Sequence, residues 1–229
     1  MYQVISAIIL KLFFRIYVLF QHIFYLRDNF QVMSFSIDKN GFWINPNLDG
    51  HFYDPVLCKA ISLFLKSEEI KTIVDLGCGP GNYVKGLKEE GFQVEGYDGN
   101  PFTEQISKVT LDDGTCCKVL DLSKEIIFNE PYDCVLSLEV GEHIPVVYEE
   151  IFLNNITRNA LKCIIISWAV EGQSGDGHIN CRNNDYIIVK MKDRGFVEFE
   201  EAKILLRSLV TFSWFENTLM VFWNKKCLD

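Results

Sequence analysis

The sequence predicts an α/β fold, a mostly parallel sheet with helices on both faces. Three observations carry this reading. Short apolar runs alternate with segments of helical spacing from residue 54 onward. Two of those runs, Cys163–Ala169 and Thr218–Trp223, are almost continuously apolar, as strands buried on both faces require. A glycine-rich turn joins the run at Ile73–Leu76 to a helical segment, and strand–helix–strand units of this kind cross over right-handed.

The 229 residues suffice for one α/β domain plus an appendage. With 48% hydrophobic and 23% charged residues the composition is globular. A formal net charge of -9, with no Lys/Arg cluster, argues against a nucleic-acid partner, which would need a basic patch. Of the eight cysteines, Cys116 and Cys117 are adjacent, Cys134 and Cys163 sit in apolar runs, and no Cys-x-x-Cys pair is present to seed a zinc site. They read as reduced structural thiols in a reducing compartment, and no metal site is assigned.

Val4–Leu26 is almost wholly apolar and aromatic, broken by Lys11, Arg15, Gln21 and His22. Its length suits a membrane span. Each mid-segment cation, however, costs about 2.5–3.5 kcal/mol against about 0.3–0.6 kcal/mol gained per large apolar residue, so the terms nearly cancel. Lys11, Arg15 and His22 share one helical face, which also suits a helix lying in the membrane interface. Cations within the run and the lack of a small-x-small site argue against a cleaved signal peptide. Residues 1–32 are therefore read as an anchor, a dispensable leader (with Met33 as an alternative start) or a helix packed on the domain. The domain itself is assigned to residues 33–229. The chain is expected to face the cytoplasm, soluble or membrane-associated through that segment.

Gly41–Tyr53 combines turn residues with Phe42, Trp43, His51 and Phe52. It reads as a flap over a pocket or, equally, as a loop stapled to the domain by its aromatics. Asp54 followed by Pro55 is an N-cap and first-turn signal. The helix it opens extends to about Lys66 with Val56, Leu57, Ala60, Ile61 and Phe64 on one face.

Thr72–Asn82 holds the central pattern: a short apolar strand interrupted by Asp75, then Gly77, Gly79 and Gly81 at alternate positions, then helical spacing through Tyr83, Val84 and Leu87. Glycines here allow a sharp turn and leave no Cβ between backbone and ligand. Backbone N–H groups and a helix N-terminus then face that ligand. A dinucleotide dehydrogenase prefers a third small residue where Asn82 stands, and does not call for an acid at Asp75. A second strand, Phe92–Tyr97, ends at Asp98, about twenty residues beyond the glycines, where an acid can accept both ribose hydroxyls. A third, Cys116–Leu120, is closed by Asp121, alternatively an N-cap for Ser123 onward. A fourth, Pro131–Glu139, leads into Val140, Gly141, Glu142, His143 and Ile144.

The glycine stretch resembles motif I of the class I S-adenosylmethionine-dependent methyltransferases, and Tyr132–Glu139 with Glu142-His143-Ile144 resembles that family's fourth motif and the turn after it. The likeness spans roughly residues 54–224. It implies a seven-stranded, doubly wound Rossmann-like sheet with the last strand antiparallel. It also implies S-adenosylmethionine as cofactor, bound by Asp75, Gly77, Cys78, Gly79, Gly81, Asp98, Gly99, Asp121, Leu122 and Glu139. Asp75 would help hold the cofactor's amino group, Asp121 and Leu122 would meet the adenine, and Glu139 would lie beside the cofactor.

The remaining elements are a helix over Val146–Leu161, the strand Cys163–Ala169, a flexible polar loop over Glu171–Asn180, a helix from Asn184 to Arg194, a strand over Phe196–Ala202, and a hairpin excursion over Arg207–Asn217. In the family, loops at this edge face the methyl acceptor. His178 is the preferred general base with Asp176 as its partner, and His143 is a second candidate. The resulting reading is methyl transfer to a small-molecule acceptor, polar or sugar-like, at oxygen or nitrogen. A nicotinamide-dependent oxidoreductase and a catalytically inactive cofactor-binding interaction protein are the alternatives. Oligomeric state is not legible.

Overall fold

Asp54 explains how the domain begins. Its side chain is fully buried and accepts from the backbone N–H groups of Val56 (3.0 Å) and Leu57 (2.9 Å), capping helix α1, Pro55–Ser67. Its other oxygen accepts from Thr211 N–H at 2.6 Å, so one carboxylate fastens the first helix to a loop 157 residues further on. Leu57, Ala60, Ile61 and Phe64 are buried as their spacing predicts, while Val56 stays partly exposed.

The computed structural model describes residues 36–48 and 50–227, so the readings for residues 1–32 and Met33 lie outside the described residues. Within them, Ser36–Ile37 (β1) and Trp43–Ile44 (β2) form a two-residue antiparallel pair. The main sheet has seven strands: β3 Thr72–Leu76, β4 Gln93–Asp98, β5 Lys118–Val119, β6 Tyr132–Ser137, β7 Ala160–Ser167, β8 Phe196–Glu198 and β9 Leu219–Asn224. Their order is β5-β4-β3-β6-β7-β9-β8. β5 through β7 run parallel, and the last strand in sequence, β9, is antiparallel to both neighbours. This is the sheet that the resemblance implies. β4 and β5 lie on one side of β3, β6 and β7 on the other, so the order reverses between β3 and β6. In open α/β sheets ligands bind outside the carboxyl ends of two strands placed in this way.

Alternation along the strands divides the core between the two faces. Ile73, Leu136, Ile165 and Val221 pack with α1, α2 (Asn82–Glu89) and α6 (Glu200–Leu209). Val74, Val135, Ile164, Ile166 and Phe222 pack with α4 (Glu149–Arg158) and α5 (Asn184–Asp193). Helix α3, Thr103–Leu111, sits beside α2, and a short α7, Phe215–Thr218, precedes β9. All eight cysteines are free thiols, with Cys134 and Cys163 buried on adjacent strands. No helix among the described residues is long and apolar enough to cross a membrane.

Five local readings are corrected. The strand expected over Phe196–Ala202 stops at Glu198. Glu200 and Glu201 open helix α6, where acids favour an N-terminus, and Ala202 and Leu206 bury one turn apart. Arg207–Asn217 is not a hairpin excursion but the end of α6, a turn and α7. The helix expected over Val146–Leu161 is a 3₁₀ turn at Val146–Tyr148 followed by α4, and β7 already begins at Ala160. Ser123 onward is a turn, so Asp121 caps no helix. The third strand shrinks to Lys118–Val119.

Replacing Asp54 by alanine removes a cap and leaves loop N–H groups buried, so it should lower unfolding free energy by about 2–3 kcal/mol. Urea denaturation measures this, and a loss below about 0.5 kcal/mol would show that the clamp contributes nothing beyond an exposed cap.

Candidate functional site

The glycine turn is built where Leu76 ends β3. The N–H groups of Gly77 and Cys78 both donate to the carbonyl of Tyr97, at 2.7 and 3.1 Å, tying the turn to the end of β4. Gly77 (φ 89°) and Gly79 (φ 51°) adopt left-handed backbone conformations that side chains disfavour. Space forbids a side chain as well. A Cβ on Gly77 would lie 2.3 Å from Val140 Cγ2, and one on Gly79 would lie 2.8 Å from His51 Nδ1. Gly81 is the N-cap residue of α2. Cys78 is buried beneath the turn, and Asp75 is buried within β3. Burial, then the nearby Cys117 and Asp98, push the Asp75 carboxyl well above the usual range.

Asp98 ends β4 and bridges to the glycine turn. One oxygen accepts from Gly79 N–H at 2.9 Å, and the other accepts from Asn100 N–H at 2.8 Å. Gly99, next in sequence, leaves room for the Phe42 ring, which a Cβ there would meet at 2.6 Å. The Leu120 N–H donates to the Asp98 carbonyl at 2.8 Å and brings Asp121 to the same edge. Asp121 accepts from Ser123 N–H and Oγ–H and from Asn40 Nδ2 at 2.9 Å. Burial raises its pKa, but these donors and Lys124 outweigh burial and hold it below the usual value. Leu122 is buried, and the chain after it is held by Asn155, whose amide reaches Leu122 and Lys124 carbonyls and Ile126 N–H.

On the β6 side of the turn, Glu139 follows that strand with φ 54°, a conformation rare outside glycine. Such strain persists only where the surroundings hold it, and here Glu139 N–H donates to Ser167 Oγ at 2.7 Å. Its carboxylate accepts from Thr218 Oγ1 at 3.2 Å and Gln173 Nε2 at 3.3 Å. The side chain is thus tied toward the loop after β7. Burial raises its pKa despite those donors.

That loop was read as flexible, yet its second half is anchored. Ile179 and Asn180 N–H groups donate to the Glu142 carbonyl at 3.0 and 2.9 Å, and Trp168 Nε1 donates to the Asn180 carbonyl at 2.6 Å. Buried Glu149 gathers Asn180, Arg182 and Tyr186. These bonds bring His178 to Glu142, with Nε2 4.0 Å from Oε1. The His143 and His178 rings meet edge to face with centroids 5.0 Å apart. Burial and the neighbouring His178 pull the His143 pKa down to about 4. Asp176 is exposed and makes no contact with His178 among the described residues. The Nδ1 of His178 meets the Gln173 carbonyl instead, at 3.2 Å.

Sequence reasoning named no site residue in the strap before α1, although its turns and aromatics marked it. Asn40 reaches Asp121, Asn45 pairs with Asn100, Phe42 covers Gly99 and His51 covers Gly79. The strap is stapled to the domain by Phe52 against Phe212 and Trp214, as the second reading of it expects.

Residues 50–162 match the model of a family described as a methyltransferase domain. No curated protein matches the sequence. Solved structures match the fold. Magnesium protoporphyrin IX methyltransferase from Synechocystis, solved with S-adenosylmethionine bound, is 18% identical, with 74% of this chain and 79% of that one covered at TM-score 0.53. A sugar N-methyltransferase from Streptoalloteichus is 11% identical over 74% of this chain and 87% of that one, at TM-score 0.58. A TehB-like S-adenosylmethionine-dependent methyltransferase from Corynebacterium glutamicum is 20% identical over 73% and 87%, at TM-score 0.53.

Asp98→Ala and Gly79→Arg should each weaken S-adenosylhomocysteine binding at least tenfold, about 1.4 kcal/mol, by titration calorimetry. NAD should not bind. Unchanged affinity in both folded variants would refute this location for the cofactor.

Proposed function

We propose that this chain, a class I S-adenosylmethionine-dependent methyltransferase by domain and fold, transfers the cofactor's methyl group to an oxygen or nitrogen of a small-molecule acceptor. The observation that carries the reading is the Asp98 bridge to Gly79, which ties the glycine turn to the end of the neighbouring strand β4, with a second polar wall, from Glu139 to His178, on the β6 side of the turn. The residues fit an adenosyl cofactor: a glycine turn follows β3, and acids stand at or just past the ends of β4 and β5.

When bound, the cofactor supplies a methyl group already activated by its sulfonium charge. The protein's work is then chiefly alignment. Gly77–Gly81 and Asp98 hold the donor, with Asp121 and Leu122 at the base and Asp75 and Cys78 beneath the turn. Glu139 forms the boundary toward the acceptor. His51 covers Gly79 of the turn and Phe42 covers Gly99 beside it. An amine acceptor needs only to arrive neutral, whereas a hydroxyl must lose its proton, and the cluster of Glu142, His143 and His178 is placed to promote that loss.

Two features support a small, polar acceptor. The loop from Gly172 to Asn180 presents polar groups among glycines, and the net charge of -9 disfavours a polyanion. Relatives of this fold named for sugar and porphyrin methylation point the same way. Incubation with methyl-labelled S-adenosylmethionine and a fractionated cell extract should place label in the low-molecular-weight fraction. Label confined to RNA or protein would overturn the acceptor class, and no transfer to any fraction would overturn the activity.

A further inference from the structure

We propose that Glu142, His143 and His178 form a binding site for a divalent first-row transition metal ion. The sequence carries no cysteine-based metal signature, and two of these residues are separated from the third by some 35 positions, so only the fold assembles the set. One donor atom from each lies within 4.8 Å of the others. Side-chain shifts of about 0.5 Å bring such atoms to the roughly 2.0–2.2 Å metal–ligand distances of nitrogen and carboxylate ligands.

Three independent features point to a cation rather than to packing. First, Glu142 is fully buried, and neither carboxylate oxygen has a hydrogen-bond partner; the N–H groups of Glu142 itself and Ala169 face it short of bonding geometry. Among the described residues no lysine or arginine pairs with it, and the groups of possible positive charge beside it are the imidazoles of His178 and His143. A buried carboxylate left this way is costly unless it is protonated or holds a metal.

Second, His178 is oriented as a ligand. A carbonyl oxygen cannot donate, so Nδ1, 3.2 Å from the Gln173 carbonyl, carries the proton. Nε2 is left with its lone pair toward Glu142. A backbone carbonyl fixing the far nitrogen is the usual outer support of a metal-bound histidine. Third, the buried His143 Nδ1 makes no hydrogen bond of full geometry, although the Gly177 backbone faces it, and the ring meets that of His178 edge to face.

Two imidazoles and one carboxylate suit Zn²⁺, Mn²⁺ or Co²⁺ better than Mg²⁺ or Ca²⁺, which favour all-oxygen sets. Three protein ligands leave a coordination position open, as in sites that bind a reactant. Val140, two residues before Glu142, packs on Gly77, so this position faces the acceptor side of the turn. That last placement rests on the methyltransferase reading, whereas the ion site does not.

The test uses the full-length chain in detergent, stripped by chelator and then titrated with Zn²⁺, Mn²⁺, Co²⁺ and Mg²⁺. S-adenosylhomocysteine affinity is measured on the same preparation. The expected result is one equivalent of Zn²⁺, Mn²⁺ or Co²⁺ bound, with Mg²⁺ at least tenfold weaker and a Co²⁺ visible band in the wild type. His178→Ala and Glu142→Gln should each weaken the transition-metal affinity at least tenfold while S-adenosylhomocysteine binding persists. Absence of a stoichiometric Co²⁺ band in the wild type, or unchanged affinity in either folded variant, overturns the site. Metal binding without any S-adenosylhomocysteine binding would leave the site standing and refute the methyltransferase reading instead.

Discussion

The hydrogen bond from Gly79 N–H to the Asp98 carboxylate is the contact that fixes the glycine turn against the next strand end. It joins the turn after β3 to the end of β4, on the side of β3 away from β6. Asp98 also accepts from Asn100 N–H, so one carboxylate shapes two consecutive turns. Backbone carbonyls add to the same corner: Tyr97 receives Gly77 and Cys78, and Asp98 receives Leu120. The glycine turn, the second acidic strand end and the approach to Asp121 are therefore one hydrogen-bonded unit. Pre-formed order of this kind lowers the cost of positioning a ligand.

Buried carboxylates organise the rest of the molecule, each in a different way. Asp54 spans from α1 to the chain before α7 and is satisfied by backbone N–H groups. Glu149 collects an amide, a guanidinium and a phenol and so anchors the loop after β7. Both are structural ties in which an acceptor meets enough donors to offset its burial. Glu142 stands apart, because its carboxylate is as buried as theirs and lacks the donors. The contrast within one protein is what marks it for chemistry rather than architecture.

The parts of the site differ in how readable they are. Gly77, Gly79, Asp98 and Glu139 stood out because motif and strand end coincide, and a backbone turn is a local property. The strap from Asn40 to His51 was visible only as composition, since its partners Asp121, Asn100, Gly99 and Gly79 lie some 28 to 81 residues away. Phe196–Ala202 misled because its alternation is genuine for only three residues, after which Glu200 and Glu201 favour a helix start. Asp176 misled because nearness in sequence to His178 suggested a partnership that the Gln173 carbonyl takes.

The sequence by itself determined the parallel α/β sheet, the glycine turn and the acids at strand ends, because periodicity and short motifs are set by residues close in the chain. Only the tertiary structure decided that Asp98 bonds to Gly79, that His51 of the strap covers Gly79, and that Glu142, His143 and His178 share one buried corner. Those outcomes depend on loop closure around Glu149 and Trp168 and on which polar atoms find partners once water is excluded, and neither is a property of any local stretch.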